Sequence, residues 1–142
     1  MYTDGKRNEE FRTSAGAQII ATQSTAVKAS KYVGPNPVRI TGIACVITTA
    51  MTVTNAILAI TQRPTPGSAS GEVTLATITL PVTGSAIGDC VYKRIDPVTV
   101  PAGSEITLTL TQASTAGAAV TMLEVEDAFE HPSNNTKMKL GA

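Results

Sequence analysis

From residue 38 to residue 125 the chain alternates apolar and polar positions, the two-residue period of strands whose successive side chains point to opposite faces. Glu105–Gln112 shows it most cleanly: Ile106, Leu108 and Leu110 share one face, and Glu105, Thr107, Thr109 and Thr111 the other. In residues 38–49, Val38, Ile40, Ala44 and Val46 fall on one side, with Arg39, Thr41, Ile43, Cys45 and Ile47 on the other. Apolar residues on both sides predict a central strand, partly covered on each face. Residues 51–62 continue the pattern. Residues 73–82 change parity between Leu75 and Ile78, as a β-bulge would make them do. Further strands are expected at 90–100 and 118–125, and a first one within 17–29.

Gly and Pro punctuate these runs. GPNP at 34–37 fixes a turn, since two prolines set φ and remove donors. RPTPGSASG at 63–71 is long enough for a hairpin loop or a crossing between sheets, and VPAGSE at 100–105 predicts a hairpin-type reversal. Many short Thr/Val/Ile strands with no convincing helix argue for an all-β fold, a single antiparallel β-sandwich. An eight-stranded jelly roll is the first expectation and an immunoglobulin-like sandwich the second. The expected core is Ile40, Val46, Ile57, Leu75, Leu80, Ile106, Leu108 and Leu110. Residues 17–127 form the expected sandwich, between extended arms at 1–16 and 128–142.

Composition sharpens this. The 142 residues are 42% apolar but only 4% aromatic, with no Trp, so the core must be aliphatic. A domain of this size buries roughly two thirds of its unfolded surface. Formal net charge is zero. Asp4, Lys6, Arg7, Glu9, Glu10 and Arg12 crowd one end; Glu124, Glu126, Asp127, Glu130, Lys137 and Lys139 crowd the other. No basic run marks a nucleic-acid footprint. Residues 43–60 are interrupted by Thr48, Thr49, Thr52, Thr54 and Asn55, so no membrane span is expected. MYTDGKRNEEF lacks the basic-then-apolar order of a secretory signal.

Candidate chemistry is sparse. The one histidine, His131, precedes Pro132 in a polar tail. Cys45 and Cys90 read as small buried thiols, whose pairing depends on whether their strands are neighbours. Glu124, Glu126, Asp127 and Glu130 read as a charged solvent face at the end of the last strand, and Asn134-Asn135-Thr136 as a chance match to a glycosylation pattern. No catalytic residue, cofactor or metal is expected.

The arm MYTDGKRNEEFRTSAGA, the segment IDPVTVPAGSEITLTL and the tail EVEDAFEHPSNNTKMKLGA give the chain a build that resembles the decoration or cement proteins of tailed-phage capsids. The resemblance implies a non-enzymatic virion protein, made in the host cytoplasm, that sits on the capsid surface. There it would bridge neighbouring major capsid proteins, often as a dimer or trimer. Arms of this kind order on a partner. Phe11, Phe129, Met138 and Leu140 are then the expected apolar anchors, and Arg7, Arg12, Lys137 and Lys139 the salt-sensitive contacts. A carbohydrate- or receptor-binding module of a fibre or tail is the alternative.

Overall fold

Thr, Val and Ile suit a pleated, half-buried surface, and the chain uses them in strands throughout. The computed structural model describes residues 2–11, 18–20, 26–83 and 86–129, and only the backbone of 2–5, 18–20, 26–28 and 129. The strands are β1 (Tyr2–Glu10), β2 (Gln18–Ile20), β3 (Ala26–Tyr32), β4 (Val38–Thr52), β5 (Ala56–Arg63), β6 (Val73–Leu80), β7 (Cys90–Val100), β8 (Glu105–Gln112) and β9 (Ala116–Phe129). No helix occurs among the described residues.

Two antiparallel sheets form the expected sandwich. One runs β1-β9-β4-β7, with β2 also on β9, and the other β3-β8-β5-β6. The pairs are nested: β1 and β2 lie on β9, β3 on β8, β4 on β7 and β5 on β6. Residues 64–72 close a hairpin between β5 and β6, with Arg63 Nε 2.7 Å from Glu72 Oε2 at its base. The reversal at 101–104 differs from expectation. Instead of closing a hairpin, it carries the chain from β7 in one sheet to β8 in the other. Gly103 (φ 90°) donates its N–H to Val33 O at 2.7 Å, tying the crossing to the end of β3.

The core is aliphatic, as composition requires, but not all of it is the set expected. Ile40, Leu80, Ile106, Leu108 and Leu110 are buried, whereas Val46, Ile57 and Leu75 are only partly so. Ile43, Cys45 and Ile47 fill the inner face of β4 instead. The cause is a bulge. Ile40 pairs with Val125 and Gly42 with Glu124, leaving Thr41 as an extra residue that reverses the parity of everything after it. The expected bulge in β6 is present: Ile60 faces Ala76 and Thr61 faces Thr74, so Leu75 is the inserted residue.

The domain limits also move. Residues 2–10, read from sequence as part of an arm, are the edge strand β1, and Phe11 is fully buried, its N–H donated to Thr121 O at 2.9 Å. The last strand continues to Phe129, which pairs with Tyr2, and Ala128 is buried. The sandwich therefore begins at residue 2 and ends at 129 among the described residues.

The strands of the two cysteines are neighbours, yet Cys90 pairs with Val46 and Cys45 with Val91, which puts the thiols on opposite faces. Cys45 is buried 3.3 Å from Thr121 Oγ1, and Cys90 is exposed. Burial pushes the Cys45 thiol up to about 11. In native protein at pH 8, a thiol reagent should modify Cys90 within minutes and reach Cys45 only on unfolding. Labelling followed by peptide mass spectrometry checks this, and modification of both thiols at one rate would contradict the register.

Candidate functional site

Apart from the Arg63, Glu72 and Glu105 group at the base of the β5–β6 hairpin, two gatherings of polar side chains bear on a site among the described residues. On the outer face of the first sheet, the bulge leaves Thr41 and Gly42 facing outward beside Glu124 of β9 and Tyr92 of β7. Thr41 Oγ1 donates to Glu124 Oε1 at 2.7 Å, and the Tyr92 hydroxyl donates to the same oxygen at 3.0 Å. Only Gly fits at 42 in this arrangement, because a Cβ there would lie 2.6 Å from the Tyr92 hydroxyl oxygen. Glu124 titrates below the usual carboxylate range. The Thr41 hydrogen bond is the main cause; the Tyr92 bond and the charges of Lys6 and Arg94 add to it, and burial opposes. The Tyr92 phenol is shifted up, by desolvation first and by Glu124 second. This is a three-strand clasp. It holds the bulge, and no free acid and base face each other across it.

The second place is the side of the sandwich between edge strands β1 and β3. Arg7 and Glu9 pair with Val125 and Leu123, so they share the inward face of β9 but lie at its margin. Arg7 reaches Asp127 at 2.9 Å and Glu9 at 2.7 Å, and Lys31 of β3 stands 3.8 Å from Glu9. Lys31 Nζ also donates to Glu10 O at 3.2 Å and lies 6.0 Å from the centre of the Phe11 ring. Beside these charges is a cleft of about 180 Å³ floored by Val38, Ile106, Leu123 and Val125, with Tyr32 and Asn36 at its mouth. Tyr32 is 70% exposed.

Of the residues expected to bind a partner, Arg7 and Phe11 are used within the chain, one in ion pairs and the other in the core. For Phe11 this is a correction: a fully buried ring is not an anchor for another protein. Phe129 ends β9. Arg12, Lys137, Met138, Lys139 and Leu140 lie outside the described residues, as does His131. The acidic residues near the end of β9 do not act as one cluster, since Glu124 joins the clasp, Glu126 lies 3.5 Å from Arg39, and Asp127 pairs with Arg7. Among the described residues no group of three or more His, Cys, Asp and Glu side chains is placed to hold a metal ion.

Sequence reasoning passed over two features. Gly42 inside an otherwise apolar run was the available signal for the clasp. Val53, 80% exposed at φ 69°, and Ile87, 75% exposed, stand at turns with no sequence signal to set them apart.

No protein-family model matches the chain, and no curated protein matches it. Among solved structures it is similar to a chain from "Structure of infectious bursal disease virus Gx strain", at 15% identity and a TM-score of 0.28. The match covers 99% of this chain and 48% of that one, so the chain spans about half the length of its neighbour.

The clasp has a pH signature. Because the Glu124 carboxyl is lowered in the folded state, its contribution is complete above the ordinary carboxylate value of about 4.3 and is lost as pH falls through the folded value. Thermal unfolding between pH 6 and pH 2.5 should show Glu124→Gln losing less stability on acidification than the parent. Glu72, also lowered, by Arg63, keeps part of the slope. Identical acid limbs would remove Glu124 from the account.

Proposed function

We propose that the chain is a non-enzymatic virion structural protein, an eight-stranded jelly roll that binds the outer capsid surface and bridges neighbouring major capsid proteins. The nested pairing carries this reading. With β1 and β2 taken as one interrupted strand, the partners run first with last, second with second-last and so on inward, which is the strand order of a rolled double sheet. Jelly rolls recur in viral capsids, lectins and cupins, and function must then be argued from the surface.

Two surface features support a structural role. The charged groups beside the β1/β3 cleft, Arg7, Glu9, Lys31 and Asp127, are engaged with one another. The sequence after Phe129 is also polar, with Met138 and Leu140 set between Lys137 and Lys139. That segment is the proposed contact with the capsid, now without residues 2–11. Salt-screened contacts of this kind gain strength through repetition over a shell.

A second reading has one feature in its favour: exposed Tyr32 beside Asn36 and Asp127 at the cleft mouth is a ring-and-polar arrangement suited to a sugar. A glycan that binds the chain and is lost with Tyr32→Ala would favour it.

The main reading is tested on particles. Particles from the source that encodes the chain should hold it in fixed ratio to the most abundant shell protein. Chain trimmed of residues 130–142 should fold normally but occupy fewer than about a tenth of the sites. Absence from particles, or full occupancy by the trimmed chain, would overturn the proposal.

A further inference from the structure

A sheet edge presents a row of unpaired N–H and C=O groups to any chain able to lie beside it, and edges are ordinarily blunted by charge, proline or bulges. The two sheets end in β1 and β7, and in β3 and β6. β1 carries Asp4, Lys6, Arg7, Glu9 and Glu10, and β3 carries Lys28 and Lys31. β7 holds Lys93, Arg94, Asp96 and Pro97, and it swells where residues 95–97 face the single residue Thr41. β6, VTLATITL, has no ionisable residue, no proline and no glycine.

Among the described residues no strand lies on the outer side of β6. The group that reaches it is Lys93, whose ammonium donates to Thr77 O at 2.8 Å across a shallow groove lined by Thr74, Leu75, Ala76 and Ile95 and, from β7, by Arg94 and Asp96. That bond fixes the direction of the ladder. The Thr77 carbonyl faces away from β5, and since a strand residue's N–H and C=O point to the same side and alternate along the chain, Thr77 and Thr79 both offer their groups outward.

We propose that this edge takes β6 of a second copy of the chain, antiparallel, about a two-fold axis at Ile78. In that register Thr77 faces Thr79 of the second copy, each exchanging both backbone hydrogen bonds. Ile78 faces its own counterpart, and Ala76 faces Leu80. Residues directly opposite share a face, so threonine meets threonine outside and aliphatic meets aliphatic inside. Among the described residues β1, β3 and β7 are charged and the uncharged β2 on β9 is only 3 residues long, so β6 is the long edge that sets no like charges against each other. A two-fold contact uses the same strand on both copies and closes at two, without growing into a fibre. Lys93 acts as a competitor that must release Thr77 O before the second strand docks. The inference concerns the chain in solution and stands or falls apart from the virion reading.

The test is sedimentation velocity on the full chain over a range of concentrations. The parent should show a reversible monomer–dimer equilibrium. Thr77→Pro removes an N–H that the chain's own ladder does not use, and proline is tolerated on an edge strand. It should keep the parent's thermal transition and associate at least about tenfold more weakly. Thr79→Lys, which puts charge at the seam on the exposed face, should do the same, and serves alone if the proline variant fails to fold. Lys93→Met should associate several-fold more tightly, which a folding defect would not produce. A parent that is monomeric throughout, a dimer that persists in folded Thr77→Pro or Thr79→Lys, or assembly beyond two copies would overturn the proposal.

Discussion

One extra residue in β4 sets the terms for the rest of the sandwich. β4 lies between β9 and β7 and, at 15 residues, is the longest strand among the described residues, so its inner face must serve the core from one end to the other. Thr41 belongs to neither ladder, and around it the inward set changes from Val38 and Ile40 to Ile43, Cys45 and Ile47. Without that shift, Ile43 and Ile47 would face solvent while Ala44 and Val46 met the opposite sheet. The cost of a bulge is a kinked, locally unpaired backbone. Here Thr41 and Tyr92 converge on one carboxylate oxygen of Glu124, and Gly42 leaves room for the ring that does it.

The two flanks of the sandwich are finished in different ways. Between β1 and β3, Phe11 enters the core, and Arg7, Glu9, Lys31 and Asp127 close over it with partly exposed ion pairs. Each such pair contributes little, about 0–1 kcal/mol, so the buried ring is the larger stabilising term and the charges mainly keep the edge from accepting another strand. Between β6 and β7 no comparable plug occurs among the described residues: Leu75, Ala76 and Ile95 share a shallow groove with Arg94 and Asp96, and Lys93 reaches across it to Thr77 O. That asymmetry is why the second flank, and not the first, is the one proposed to take another strand.

How much of this was legible in the sequence depended on whether a strand had an apolar face of its own. β8 was readable because Ile106, Leu108 and Leu110 all turn inward while its other face, Glu105, Thr107, Thr109 and Thr111, is polar throughout, even at Thr107, which is buried against the Thr61 hydroxyl. β6 gave away its bulge through the shift from Leu75 to Ile78. β1 was not readable: it is an edge strand whose inward positions at Arg7 and Glu9 reach the margin of the sheet, so polar residues occupy both faces and no period appears. Only Phe11 marked its attachment, and a single aromatic among charges is as consistent with a partner's pocket as with the chain's own core. The reversal at 101–104 misled because proline and glycine specify a tight turn but not which sheet the next strand joins. That choice is made by the long-range partners of β8, which no local pattern contains.

The reversal of parity in β4 is tested most directly by comparing Ile43→Ser with Val46→Ser in chemical denaturation. Alternation from Val38 onward would put Val46 inside and Ile43 outside; the bulge puts Ile43 in the core and leaves Val46 half-buried on the outer face. The account predicts that Ile43→Ser loses about 3 kcal/mol or more, through lost packing and a buried hydroxyl, while Val46→Ser loses about 1 kcal/mol. The opposite order, with Val46→Ser the more damaging, would contradict the bulge and the arrangement built on it.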